Sequence, residues 1–140
     1  MNERIVGLDI GDVRIGVAVS DSTGTIATPT EVIKRVGWGP DVRKIKAICD
    51  RFQTEFVLSG LPLNMDGTEG FQAEKVRQFC AQLEQAGLKV EFWDERLSTV
   101  SAEDALIEGG VSRTDRKQIV DKIAAAVILQ QWLDHHQNRE

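Results

Sequence analysis

An aspartate stands inside an apolar run that reads as a buried strand: Ile5-Val6-Gly7-Leu8-Asp9-Ile10, closed by Gly11 and followed by a second run, Ile15-Gly16-Val17-Ala18-Val19-Ser20. Burial without a partner costs even a neutral polar group about 2–7 kcal/mol, and a carboxylate more. Asp9 therefore needs compensation, in the first instance from a metal ion or a phosphate-bound metal. Glycine in a strand gives up packing, so Gly7, Gly11 and Gly16 around Asp9 point to close approach of backbone or ligand. The competing reading, of equal weight on this run alone, is that Asp9 ends the strand and hydrogen-bonds its own turn.

The rest of the chain is read for what tips that balance. Its 140 residues suit a single domain over 1–140, large enough to fold without a staple. Hydrophobic residues at 41% and charged residues at 28% exclude a disordered chain, and no apolar stretch is long enough to cross a bilayer. Met1-Asn2-Glu3-Arg4 leads straight into the first strand without a signal-peptide pattern, so a cytoplasmic location and no membrane partner are expected. Cys49 and Cys80 lack metal-ligand spacing and read as reduced core residues. The net charge of -5 weighs against a protein that coats nucleic acid nonspecifically. It leaves room for local basic segments: Arg43, Lys44 and Lys46, then Arg113, Arg116 and Lys117.

Strands over 4–10 and 14–20 are close enough for an antiparallel hairpin, with a third from about Thr25 to Ile33. Pro40-Asp41 opens a helix with Val42, Ile45, Ile48, Cys49 and Phe52 inward. A compact strand, Phe56 to Ser59, runs into the loop Gly60 to Gly67. A long helix from about Thr68 to Gly87 turns Phe71, Val76, Phe79, Cys80 and Leu83 inward, and a strand from Leu88 to Trp93 breaks into Asp94-Glu95-Arg96. Ser101-x-x-Asp104 marks a short helix stopped by Gly109-Gly110. The last helix, about Asp115 to His135, carries Ile119, Ile123, Val127, Ile128 and Trp132. A strand meander followed by alternating strands and helices makes an α/β protein with a mixed sheet.

Three acidic places fall where such a sheet gathers its ligands: Asp9 on the first strand, Asp94-Glu95 at the carboxyl end of the last parallel strand, and Asp121 early in the closing helix. Ala124-Ala125-Ala126 permits that helix to approach the sheet and bring Asp121 toward Asp9. Converging carboxylates repel unless a hard cation such as Mg²⁺ relieves them. Adjacent strand residues face opposite ways, so Asp94 and Glu95 cannot both reach the site, and Glu95 is favoured. Taken singly, Arg96 reads as a salt bridge and Asp121 as a surface helix acid. The Gly60–Thr68 loop reads equally as a stiffened connection and as a cleft wall offering the Asn64 amide to phosphate. Trp38 and Trp93 could stack on bases, with buried packing the better default for Trp93. His135 and His136 read as solvated residues of the last helical turn.

Assembled, these residues closely resemble the YqgF (RuvX) family of Holliday junction resolvases or pre-16S rRNA nucleases. The matches are Gly7-Leu8-Asp9-Ile10-Gly11 with Arg14-Ile15-Gly16-Val17-Ala18-Val19-Ser20-Asp21, Gly60-Leu61-Pro62 with Asp66-Gly67-Thr68, Asp94-Glu95-Arg96-Leu97-Ser98-Thr99, and Lys117 with Asp121-Lys122-x-Ala124-Ala125 and Ile128-Leu129-Gln130. The resemblance implies a ribonuclease H-like fold, a mixed five-stranded sheet of order 3-2-1-4-5 flanked by helices. It also implies an acidic triad of Asp9, Glu95 and Asp121 binding Mg²⁺ or Mn²⁺, with Arg14, Asn64, Arg96 and Lys117 toward the substrate. The implied activity is metal-dependent hydrolysis of phosphodiester bonds, in 5′-end processing of precursor 16S rRNA or, alternatively, in resolving Holliday junctions. One departure is Asp12-Val13, where the family often carries a basic residue.

Nucleic acid is thus the expected partner, as precursor rRNA or branched DNA, and paired cuts in a junction would call for a homodimer. Two other classes compete. An ATP-binding protein of the actin and sugar-kinase type shares the ancestral fold but needs a second lobe. A noncatalytic RNA-binding factor on the same scaffold would suit the acidic pI and would not need the three acids.

Overall fold

A computed structural model of the chain describes residues 4–94 and 113–137, with the side chains of 113–119 and 137 outside the description. Strands β1 (Val6–Ile10) and β2 (Arg14–Ser20) form the expected antiparallel hairpin, and β3 (Ala27–Lys34) pairs antiparallel with β2. Helix α1 (Trp38–Arg51) leads to β4 (Phe56–Leu61), parallel to β1; α2 (Phe71–Gln85) leads to β5 (Lys89–Asp94), parallel to β4. Helix α3 (Arg113–Gln137) closes the described chain. The sheet order is β3-β2-β1-β4-β5, as the sequence resemblance implies. Pro29 sits on edge strand β3, where a missing N–H is tolerated.

Because side chains alternate along a strand, each face carries its own core. Val6, Leu8, Ile15, Val17 and Val19 face α1 and α2, whose Ile45, Cys49, Phe79 and Leu83 complete one cluster. Ala18 and Leu58 face Ala125, Ile128, Leu129 and Leu133 of α3, which lies across β1, β2 and β3. The buried stripe of α3 runs through these residues and Ala124, whereas Ile123, Val127 and Trp132 are only half-buried. Small residues win the contact positions because the sheet beneath is itself stripped to glycine. A Cβ on Gly7 would stand 2.9 Å from Leu129 Cβ and 3.3 Å from the Ala125 carbonyl oxygen.

Two helix starts differ from the sequence reading. Helix α1 begins at Trp38, so Pro40 falls inside the first turn, where an N–H has no intrahelical acceptor and proline costs nothing. Helix α2 begins at Phe71 instead of Thr68, because Thr68 is held in the preceding turn: its carbonyl accepts from Asn64 N at 2.8 Å. Phe71 is thereby the first helical residue, ahead of the buried stripe, and is 73% exposed where inward packing was expected.

Asp41 is a buried carboxylate the sequence reading did not single out. It accepts the Val36 N–H at 3.1 Å and Arg35 Nε at 3.2 Å, and its side chain is 1% exposed against 16% for Arg35. Arg35 also donates to the Gly11 carbonyl at 2.8 Å and lies over the Phe79 ring. Asp41→Ala should cost about 3 kcal/mol, the lower end for breaking a buried pair because Arg35 keeps some solvent contact. Chemical denaturation checks this, and a loss under about 1 kcal/mol, the scale of an exposed pair, contradicts it.

Cys49 and Cys80 are free and buried, as expected, and desolvation pushes each thiol up to about 11. Both stay protonated and unreactive at neutral pH. Among the described residues no helix is long and apolar enough to cross a membrane.

Candidate active site

Asp9 shares the α3 face of β1 with Gly7, and the strand register sets it directly opposite Gly16 of β2. The space above Gly16 is filled by the backbone of α3: an added Cβ would lie 1.8 Å from the Asp121 carbonyl oxygen and 2.2 Å from its carbonyl carbon. Only glycine allows this approach. It puts Asp121 beside the strand pair that carries Asp9.

Arg14, two residues before Gly16 on the same face of β2, reaches the same spot. Its Nε donates to Asp121 Oδ2 at 2.6 Å, with side chains 30% and 24% exposed. Asp9, Arg14 and Asp121 thus surround one glycine, two acids and a cation from three separate elements. The guanidinium offsets part of the repulsion that two acids on one patch would feel.

Asp94 does not join them. Val90 and Phe92 of β5 pack with the α1–α2 cluster and Trp93 with the α3 cluster, so alternation turns Asp94 to the α2 face, opposite Asp9. Glu95 and Arg96 lie outside the described residues, as does the short helix expected near 101–109; Lys117 lies on α3 with its side chain outside the description. Among the described residues no group of three or more His, Cys, Asp or Glu side chains could hold a metal ion. The donor chemistry of Asp9 and Asp121, hard carboxylate oxygens on one patch, fits Mg²⁺ or Mn²⁺.

Asn64 is occupied in shaping its loop. Its Nδ2 donates to Thr68 Oγ1 at 3.0 Å, Thr68 in turn bonds Asp66, and Gly67 N returns to the Asn64 carbonyl at 2.8 Å. On the other side of the strand end, a cavity of about 190 Å³ is lined by Asp9, Gly11, Asp12, Arg35, Pro62 and Lys75. Asp12 accepts from Gln72 Nε2 at 3.1 Å and from Lys75 Nζ at 3.3 Å. These two bonds hold its carboxyl below the usual range, so the bridge stands at neutral pH and is lost only as pH falls through the lowered value. His135 and His136 are distant from all this on α3; His136 stacks on Trp132 at 3.7 Å and His135 lies 5.4 Å from Trp93, rather than both being simply solvated. Trp93 is half-buried and donates to Gln131 Oε1 at 3.1 Å.

A family model described as RuvX, Holliday junction resolvase, matches residues 3–135. The chain belongs to the RuvX family. Among RuvX relatives, a protein named "Putative pre-16S rRNA nuclease" from Clostridioides difficile strain 630 is 52% identical over 135 residues, 96% of each chain. A Clostridium kluyveri protein of the same name is 51% identical over 94% of this chain and 96% of its own. The fold is similar to that of T. thermophilus RuvC in complex with Holliday junction substrate, with TM-score 0.59, 18% identity and coverage of 96% and 95%. Fowlpox virus resolvase, solved with Holliday junction DNA, gives TM-score 0.54 at 15% identity over 95% and 98%. At such identities these two speak to the fold, which is ribonuclease H-like.

Within the Asp12-Val13 segment, where the resemblance led to the expectation of a basic residue, Asp12 has partners of its own. Asp12 pairs with Lys75 of α2 at the cavity that Asp9 also lines. The cation is supplied from 63 residues away in sequence. Lys75 and Gln72, whose only signal is the exposed face of an amphipathic helix, and Arg35, in the connection between β3 and α1, were not singled out in the sequence.

Proposed function

We propose that this RuvX protein is a nuclease that hydrolyses phosphodiester bonds in 5′-end processing of precursor 16S rRNA, with Mg²⁺ or Mn²⁺ held by Asp9, Asp121 and Glu95. The observation that carries the reading is the Asp121 backbone seated on Gly16 opposite Asp9. Gly16 gives up side-chain packing in its strand, and what that admits is the helix segment carrying Asp121 beside the strand acid. The names of relatives at about half identity support the substrate. When bound, the cation supplies charge stabilisation to the phosphoryl oxygens and activates water.

The chain's own residues do the rest. Asp9 on a regular strand gives a rigid donor, and Arg14 fixes the Asp121 carboxylate by one of its oxygens. Glu95 is the residue that follows Asp94 in sequence, and adjacent residues of a regular strand would face opposite ways. Arg14, Asn64, Arg96 and Lys117 serve the substrate, Arg14 through its hold on Asp121 and Asn64 through the shape of its loop. A partner that fixes a metal ligand typically contributes 10–100-fold in affinity, so Arg14→Ala should weaken Mn²⁺ binding about tenfold. Calorimetric titration checks this, and unchanged affinity removes Arg14 from the site.

The second reading, favoured by the description of the family model, is resolution of Holliday junctions by a homodimer. One experiment separates the two. Precursor rRNA, single-stranded RNA, duplex RNA and Holliday junctions are offered with Mn²⁺ to the protein and to Asp9→Asn in parallel. Cleavage of precursor rRNA by the unaltered chain alone is expected; paired junction cuts would transfer the assignment to recombination, and equal cleavage by both proteins would mark a contaminant.

A further inference from the structure

Beside the cavity at Asp9 lies a larger groove of about 560 Å³ between the N-terminal ends of α1 and α2. Asp12, Arg35 and Lys75 line both spaces, so the two adjoin across these side chains. The outer groove is rimmed by Val36, Trp38 and Phe71, which are 68%, 45% and 73% exposed. Large aromatics are normally spent on burial, and two at the mouth of one groove require a reason. Neither is loose: Trp38 sets its ring edge against Phe79 at 6.3 Å, and Lys75 Nζ sits 4.7 Å from the Phe71 centroid.

The charges in the groove are mixed. Arg35 is committed to Asp41 and Gly11, Lys75 is shared with Asp12, and Glu74 adds an acid. A surface that bound a phosphate backbone by charge would be basic throughout. What this groove offers is apolar ring area with a single exchangeable cation, and that suits the faces of bases better than a row of phosphates. Bases inside a closed duplex are stacked on one another and cannot reach such rings, whereas unpaired bases can.

We propose that Trp38 and Phe71 form a stacking platform for an unpaired nucleotide of the substrate, so that a single strand runs past Lys75 and Arg35 to the end of β1 at Gly11, around which the Asp9 face lies. The proposal rests on the nuclease reading and narrows its substrate to single-stranded stretches or splayed ends. Because stacking dominates, affinity should depend only weakly on salt, with a slope near that of about one displaced cation, about −0.7 for a single strand.

The test is fluorescence anisotropy with a labelled oligouridylate, the matching oligodeoxythymidylate and an RNA duplex, all in EDTA to prevent cleavage. The Trp38→Ala/Phe71→Ala variant should bind both single strands between about fivefold and about 100-fold more weakly, the affinity equivalent of one lost base–aromatic stack. Trp38→Phe/Phe71→Tyr should restore most of the affinity, which a merely structural role would not predict. Since Trp38 touches Phe79, Phe71→Ala alone serves as the variant without a core contact, and it should still lose affinity. Unchanged single-strand affinity in the alanine variants, or a duplex bound by the unaltered protein as tightly as the single strand, overturns the proposal. Loss confined to the RNA or to the DNA strand still supports the platform and assigns the sugar. Cleavage of the same strands with Mn²⁺ is scored separately, so failure of the nuclease reading leaves the affinity comparison standing.

Discussion

Gly16→Ala is expected to destabilise the protein by about 3 kcal/mol or more, the upper range for forcing a methyl group into a packed interior. The added Cβ would stand 1.8 Å from the Asp121 carbonyl oxygen, and the obstacle is helix backbone, which cannot swing aside as a side-chain tip can. Either α3 lifts from β2 or β2 bends away from β1. In the first case Asp121 leaves Arg14 and the Asp9 patch, and Mn²⁺ affinity falls with stability. Gly24→Ala is the comparison: its φ of +71° is strained for alanine, yet nothing lies within 4 Å of the added methyl. Its cost should stay near about 1–2 kcal/mol, with metal affinity intact. Urea midpoints and calorimetric titration of both variants check the pair. A Gly16→Ala protein as stable as Gly24→Ala, binding Mn²⁺ normally, would mean that α3 does not rest on this glycine.

Much of this arrangement is visible in the sequence, and the reason is local. The runs around Asp9 and Gly16 alternate cleanly enough to fix the hairpin, and their glycines announce a close approach without saying of what. The small triplet Ala124-Ala125-Ala126 marks the helix face that makes it. What stays hidden depends on pairings across long stretches of chain. Arg14 and Asp121 are 107 residues apart and Asp12 and Lys75 are 63, and no periodicity connects either pair. Asp41 looks like an ordinary first-turn acid until Arg35 and the Val36 N–H close on it. Phe71 matches the apolar spacing of its helix, but the spacing does not reveal that the helix starts there, because the Asn64–Thr68 turn that delays it is set by side-chain bonds.

Asp9→Asn is the substitution expected to move function most while moving structure least. The amide has the carboxylate's shape and one of its acceptor oxygens, so the β1–β2 register opposite Gly16 has no reason to change. What it lacks is the charge that a hard divalent cation requires. Cleavage should fall at least about a hundredfold, beyond the cost of losing an outer-shell partner. A second readout follows from linkage. A ligand present at a hundred times its dissociation constant stabilises the folded chain by about 2.7 kcal/mol, so Mn²⁺ should raise the melting temperature of the unaltered protein by several degrees over EDTA. The Asp9→Asn variant should lose most of that increment. If cleavage disappears while the increment survives, Asp9 acts on the substrate and not on the cation. If both survive, an aspartate inside an apolar strand is only the end of a turn, and the acidic site must be sought elsewhere on the sheet.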